Sequence, residues 1–189
     1  MPQKGQSNST ELYQPRSRLL SGHIDRSQFL RGDLRGRQSE IRPPWSQSES
    51  SFTELCERCN DCIEACPQKI ITRGSAGFPK IDFSVAQCTF CGDCVKACEH
   101  QALGFDSDPN MAPWHLELSI EKSCLSQNGV VCRSCGDICE EAAICFKLAT
   151  RGRSLPQVDQ QKCNSCGACI SVCPSHSISI LPGTQTQAA

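Results

Sequence analysis

With 189 residues, 17 of them cysteine and only 5% aromatic, the chain has too little bulky apolar material for a large ordinary core, and cysteine chemistry must organise much of the fold. Basic and acidic residues nearly cancel, 19 against 20, so no global field draws the protein to nucleic acid or to an anionic membrane. No apolar run approaches the roughly 18 residues that span a bilayer, so membrane insertion is not expected.

Residues 1–51 lack cysteine and are rich in Ser, Gln, Gly and Arg, with 8 basic against 5 acidic side chains. That composition predicts a mostly disordered, Arg-rich leader. Within it, residues 25–31 (DRSQFLR) are similar to a twin-arginine export box, with Ser27 in the place of the second arginine. The charged stretch that follows offers no apolar h-region, so export is not expected.

The cysteines then arrive in four quartets: Cys56, Cys59, Cys62 and Cys66; Cys88, Cys91, Cys94 and Cys98; Cys124, Cys132, Cys135 and Cys139; and Cys163, Cys166, Cys169 and Cys173. Three of them read C-x2-C-x2-C-x3-C, and the first and last end in proline, Pro67 and Pro174. In this run a tight loop wraps three thiolates around one face of a [4Fe–4S] cubane while the fourth cysteine reaches another cluster. A disulfide scaffold would need an oxidising compartment and usually an even count. Zinc sites pair knuckles across a longer loop. Iron is therefore the metal these thiols are expected to bind, with all sixteen as ligands.

Each quartet is followed by a short apolar stretch, with Ile71, Leu103, Ile144 and Ile178 recurring five residues after the fourth cysteine. The segments FPKIDF before Cys88 and LPQVDQ before Cys163 predict further strands. A unit of this size cannot bury its own apolar face, so units must pair. The expected class is α+β, with tandem bacterial ferredoxin-like βαββαβ modules behind a disordered tail. The expected divisions are a leader at 1–51, modules at 52–106 and 107–182, and a flexible tail at 183–189.

Pairing neighbours predicts exchange of the fourth ligand. Set A is Cys56, Cys59, Cys62 and Cys98; set B is Cys88, Cys91, Cys94 and Cys66; set C is Cys124, Cys132, Cys135 and Cys173; set D is Cys163, Cys166, Cys169 and Cys139. Asn60, Gly92 and Gly167, each following a second cysteine, suit a left-handed backbone. The third quartet departs, with a seven-residue first gap containing the turn signal Asn128-Gly129 and with Arg133 at the glycine position. It admits three readings: a complete cubane with a looped-out ligand, a labile cluster, or no cluster. Cys145, outside every quartet, reads as a small strand residue. His23, His100, His115 and His176 share no ligand spacing, and Trp45 and Trp114 are expected to pack or to touch a partner. No substrate pocket or nucleophile stands apart from the repeats, so the chain is not expected to be an enzyme.

The Arg-rich leader with its export-like box, Arg42-Pro-Pro-Trp45, the quartet ending Cys66-Pro67, FPKIDFSVAQCTFCGDCVKAC, the stretched CLSQNGVVCRSCGDIC and the final Cys173-Pro174 stand together in one chain. The combination resembles the NapF family of ferredoxin-type proteins, accessories of the periplasmic nitrate reductase system of bacteria. The second and third quartets depart from it by ending in Glu99 and Glu140 instead of proline. The resemblance implies a cytoplasmic protein with up to four [4Fe–4S] clusters. Its implied partner is the precursor of the catalytic subunit of periplasmic nitrate reductase, which it matures or supplies with electrons before export. The alternative is a permanent electron-relay polyferredoxin subunit of an oxidoreductase complex.

Overall fold

A computed structural model describes residues 40–105, 112–150 and 153–183. The export-like box, His23 and the tail from residue 184 lie outside the described residues.

Residues 40–51, which composition assigns to the disordered leader, are folded, and that part of the expectation is corrected. Residues 40–48 form a strap across the fold: the Ile81 N–H donates to Ile41 O at 2.8 Å, Gln47 N–H to Ala102 O at 3.1 Å, and Gly104 N–H to Trp45 O at 3.0 Å. Pro43 is fully buried. The Arg42 guanidinium forks onto Glu49 at 2.8 and 3.0 Å and donates to Pro79 O. It also lies 5.1 and 5.4 Å from the Phe52 and Phe78 ring centroids. A polar window average concealed the few residues, Ile41, Pro43, Pro44 and Trp45, that anchor the strap.

Ser48 then caps the helix α1 (Glu49–Leu55), accepting from the Ser51 N–H, and the first-turn Glu49 complements the helix dipole. Phe52 is the residue α1 buries, against Phe78. The short helix α2 (Asp61–Ala65) carries Cys62. It is followed by the antiparallel hairpin of β1 (Ile71–Arg73) and β2 (Pro79–Ile81), in register Ile71 to Ile81. Helix α3 (Asp93–Lys96) carries Cys94. The strand expected after the second quartet is reduced to an isolated bridge between Ser46 and Leu103. Pro43 and Pro44 in the opposing strap have no N–H to extend a ladder.

The rest of the chain runs β3 (Leu116–Ile120), α4 (Ser134–Asp137), β4 (Ile144–Leu148), β5 (Ser154–Val158), α5 (Ala168–Ser171) and β6 (Ile178–Pro182). β3 pairs with β6 and β4 with β5, both antiparallel. The order β-α-β-β-α-β is the one expected of a ferredoxin-like module; in the first half only its inner hairpin survives as named strands. Leu118, Ile144, Ile178 and Ile180 join Phe52, Ile70, Ile81 and Phe83 in one buried cluster. Cys62, Cys66, Cys94 and Cys169 belong to the same cluster, so the ligand residues stand inside the core.

Candidate iron–sulfur sites

Left-handed residues shape the ligand loops. Asn60, Gly92 and Gly167 have φ of 76°, 74° and 84°, as the sequence predicts, and each opens the helix that carries the third cysteine. Arg133 takes φ −133° instead, and its guanidinium lies over Phe146 at 5.0 Å. A second set of left-handed positions gave no glycine signal: Lys69, Gln101, Ala142 and His176, each three residues past a fourth cysteine, have φ between 47° and 55°.

These loops bring the thiols together in mixed groups. A pocket partly open to solvent is lined by Cys56, Cys59, Cys62 and Cys98, with Phe52 and Leu103 among its apolar walls. A second is lined by Cys66, Cys88, Cys91 and Cys94, walled by Trp45, Ile70, Ile81 and Phe90. In the second half, Cys135 faces Cys124, Cys132 and Cys173. Cys166 faces Cys163 and Cys139, while Cys169 faces Cys163 and Cys166. Every group thus combines three cysteines of one quartet with the fourth of its neighbour. The long gap of the third quartet folds into a turn at Gly129, where Asn128 Nδ2 donates to Lys122 O and Cys124 O. The loop also buries Ser126, which donates to Ser154 O. Cys145 lies outside all four groups, exposed on β4.

Burial, and then the neighbouring cysteines, push the Cys62, Cys94 and Cys169 thiols up to about 12. Burial pushes Cys135 and Cys88 up to about 11, although the Phe90 N–H favours the Cys88 thiolate. Four such thiolates cannot coexist in one cavity unless cationic iron compensates them. Among the described residues, no three or more His, Cys, Asp or Glu side chains form a group that could hold a single metal ion. The thiols surround a volume instead, which suits a cubane that offers one iron to each cysteine. Backbone amides already point at sulfur, from Phe90 to Cys88 at 3.4 Å, Ala143 to Cys139 at 3.3 Å and Ser177 to Cys173 at 3.4 Å. Donor type, cavity and amide orientation all fit [4Fe–4S] clusters.

The groups also touch in a definite order. Cys62 of set A faces Cys94 of set B. The Cys88 N–H of set B donates to Cys166 O of set D at 2.8 Å. Cys169 of set D faces Cys135 of set C. The spatial order is A, B, D, C. Aromatic rings pack the central joint: Trp114 meets Phe83 and Phe90 edge-on and donates to Asn164 O at 3.1 Å. Trp45 meets Phe90 and Phe105. Neither tryptophan is left free among the described residues.

This is a ferredoxin-type protein, and [4Fe–4S] clusters are its cofactor: the chain matches the 4Fe-4S dicluster domain family over residues 55–102 and the 4Fe-4S binding domain family over residues 156–179. It is 40% identical over 150 residues to the ferredoxin-type protein NapF of Escherichia coli strain K12, covering 79% of this chain and 90% of that one. It is 39% identical over 166 residues to the NapF of Haemophilus influenzae, covering 88% and 93%. The methylamine utilization ferredoxin-type protein MauM of Methylorubrum extorquens is 32% identical over 160 residues, covering 77% and 73%. The chain belongs to the NapF family. No helix among the described residues is long and apolar enough to cross a membrane.

Proposed function

We propose that the protein is a cytoplasmic accessory that holds four [4Fe–4S] clusters on sets A, B, C and D. In this reading it acts on the catalytic subunit of periplasmic nitrate reductase before export, maturing it or supplying it with electrons. The observation that carries the reading is the gathering of three thiols from one quartet and one from its neighbour, around a common pocket at sets A and B and face to face at sets C and D. Membership of the NapF family supports the partner. When bound, each cluster supplies reversible one-electron storage. The chain's own residues do the rest. Burial keeps water from the thiolates of Cys62, Cys66, Cys94, Cys124 and Cys169, the amides of Phe90, Ala143 and Ser177 stabilise negative charge on sulfur, and the Cys88–Cys166 hydrogen bond holds two ligand loops side by side. The reading assigns the chain no substrate turnover of its own.

Anaerobic iron and sulfide analysis of the full chain should return four cubanes. Cys98→Ser should remove the same spectral component as Cys56→Ser and spare the one lost in Cys88→Ser; the opposite pairing would overturn the exchange of ligands. The full chain should capture the precursor of the catalytic subunit in preference to its mature form, and equal capture of both would defeat the accessory role. The unbroken order A, B, D, C favours the relay-subunit reading as the second choice, which constant stoichiometric copurification with a catalytic partner would select.

A further inference from the structure

The four quartets differ at one register position, two residues past the second cysteine, occupied by Asp61, Asp93, Ser134 and Ala168. The Asp61 backbone N–H favours the Cys59 thiolate, but the Asp61 side chain accepts from the thiol and its charge opposes the thiolate, and with burial the balance leaves the thiol raised. The Asp93 side chain likewise accepts from the Cys91 thiol, although Lys96 stands 2.8 Å from its carboxylate and offsets part of the charge. Ala168 has no polar side chain, and only its backbone N–H favours the Cys166 thiolate. Ser134 presents a hydroxyl 3.8 Å from Cys132 Sγ.

Set C has a second source of donors. The Ser175 hydroxyl lies 3.7 Å from Cys173 Sγ, and the Ser175 and Ser177 hydroxyls are 2.7 Å apart. Ser123 donates to Ser177 at 2.9 Å, and Ser177 is fully buried. The Ser177 hydroxyl accepts from Ser123 and donates to the Ser175 backbone O at 3.3 Å, so it is held from both sides, and the Ser175 hydroxyl stands as the donor beside the sulfur of Cys173. A ligated thiolate is acceptor-only, so both hydroxyls near set C act on it as donors.

Adding an electron to a cluster increases the negative charge that its sulfurs carry. A carboxylate beside a thiolate opposes that increase, while hydrogen bonds to sulfur favour it, and such bonds are among the levers that set cluster potentials. We propose that Ser134 and the Ser123–Ser177–Ser175 chain are positioning residues that make set C the site of highest reduction potential, while Asp61 and Asp93 hold sets A and B lower. This inference rests on the ligand sets proposed above. It makes set C, at one end of the order A, B, D, C, the place where the first electron settles, and it gives the irregular third quartet a function.

The test is anaerobic potentiometric titration of the full chain, with dithionite as the one-electron reductant, followed by visible absorbance and paramagnetic resonance. Ser175→Ala should move the highest-potential wave downward by about tenfold in equilibrium constant, equivalent to 59 mV for a one-electron couple, while Ser175→Thr restores it. Asp61→Asn should move a lower wave upward and leave the highest in place. Ser134→Ala reads the same wave from a different ligand, and carries the test should Ser175→Ala lose iron. Full iron content with an unmoved highest wave in Ser134→Ala and Ser175→Ala would overturn the proposal, as would a shift of that wave in Asp61→Asn. Retention of every cluster in Cys173→Ser would instead reject the ligand sets beneath it.

Discussion

Gly167, in the second half of the chain, packs against Phe83 of the first. It follows Cys166, holds φ at +84°, and an added Cβ would lie inside the van der Waals envelope of the Phe83 ring. Phe83 is only 5% exposed and is braced by Trp114, with ring centroids 5.7 Å apart, so it has little room to retreat. Two costs therefore add in Gly167→Ala: about 1–2 kcal/mol for a left-handed L-residue and about 1–3 kcal/mol for overpacking a braced ring, together about 2–5 kcal/mol. Gly92→Ala is the internal control. Its φ is +74°, but the atom it would meet is the far end of the ring, Cζ of Phe105, which packs against Trp45 on one side yet is 52% exposed and can shift toward solvent. Only the backbone cost of about 1–2 kcal/mol remains there. Anaerobic denaturant titration with iron analysis separates the two variants: Gly167→Ala should unfold at markedly lower denaturant and lose iron first from set D. Equal losses of stability in the two variants would refute the argument from the Phe83 ring.

Arg42→Lys should cost about 1–3 kcal/mol, because an ammonium cannot reproduce the fork onto Glu49 while also covering Phe52 and Phe78; an unchanged denaturation midpoint would remove the strap from the energetics of the fold. Ala142→Gly should stabilise by about 1 kcal/mol, since Ala142 is exposed and holds φ at 48°, and a lowered melting temperature would contradict that origin. Reconstitution of the apoprotein should become more favourable from about pH 7 to about pH 9. Iron takes the thiolate, and the Cys62, Cys94 and Cys169 thiols, raised to about 12, hold their protons throughout that window. Each proton competes with iron, so affinity climbs with pH, and equal iron uptake at both values would contradict the sign.

Much of this protein is legible in one dimension because iron–sulfur ligation is local in sequence. Three thiolates must come from one tight loop, so Cys56, Cys59 and Cys62 announce a site without any knowledge of the fold, and Asn60, Gly92 and Gly167 announce the left-handed residue that turns each loop. The strands after the first, third and fourth quartets follow from Ile71, Ile144 and Ile178, since alternating apolar residues of that kind need a partner surface. The strap was not legible: Ile41 and Trp45 sit in a polar window, and their value lies in hydrogen bonds with Ile81, Gly104 and Pro113 far along the chain. The left-handed turns at Lys69, Gln101, Ala142 and His176 were equally silent, because residues of any type can be held there once the fourth cysteine and the following strand are fixed.

The number, chemical type and chain position of the sulfur donors were determined by the amino-acid sequence alone, because each ligand loop is a self-contained geometric requirement. Which loops are neighbours was decided only by tertiary packing. Phe83 over Gly167 and the Cys88–Cys166 hydrogen bond place set B beside set D, a relation that depends on residues some eighty positions apart and leaves no periodic trace in the chain. The hydroxyls of Ser134 and Ser175 acquire their meaning in the same way, since both act on one group only after the third and fourth quartets exchange a cysteine.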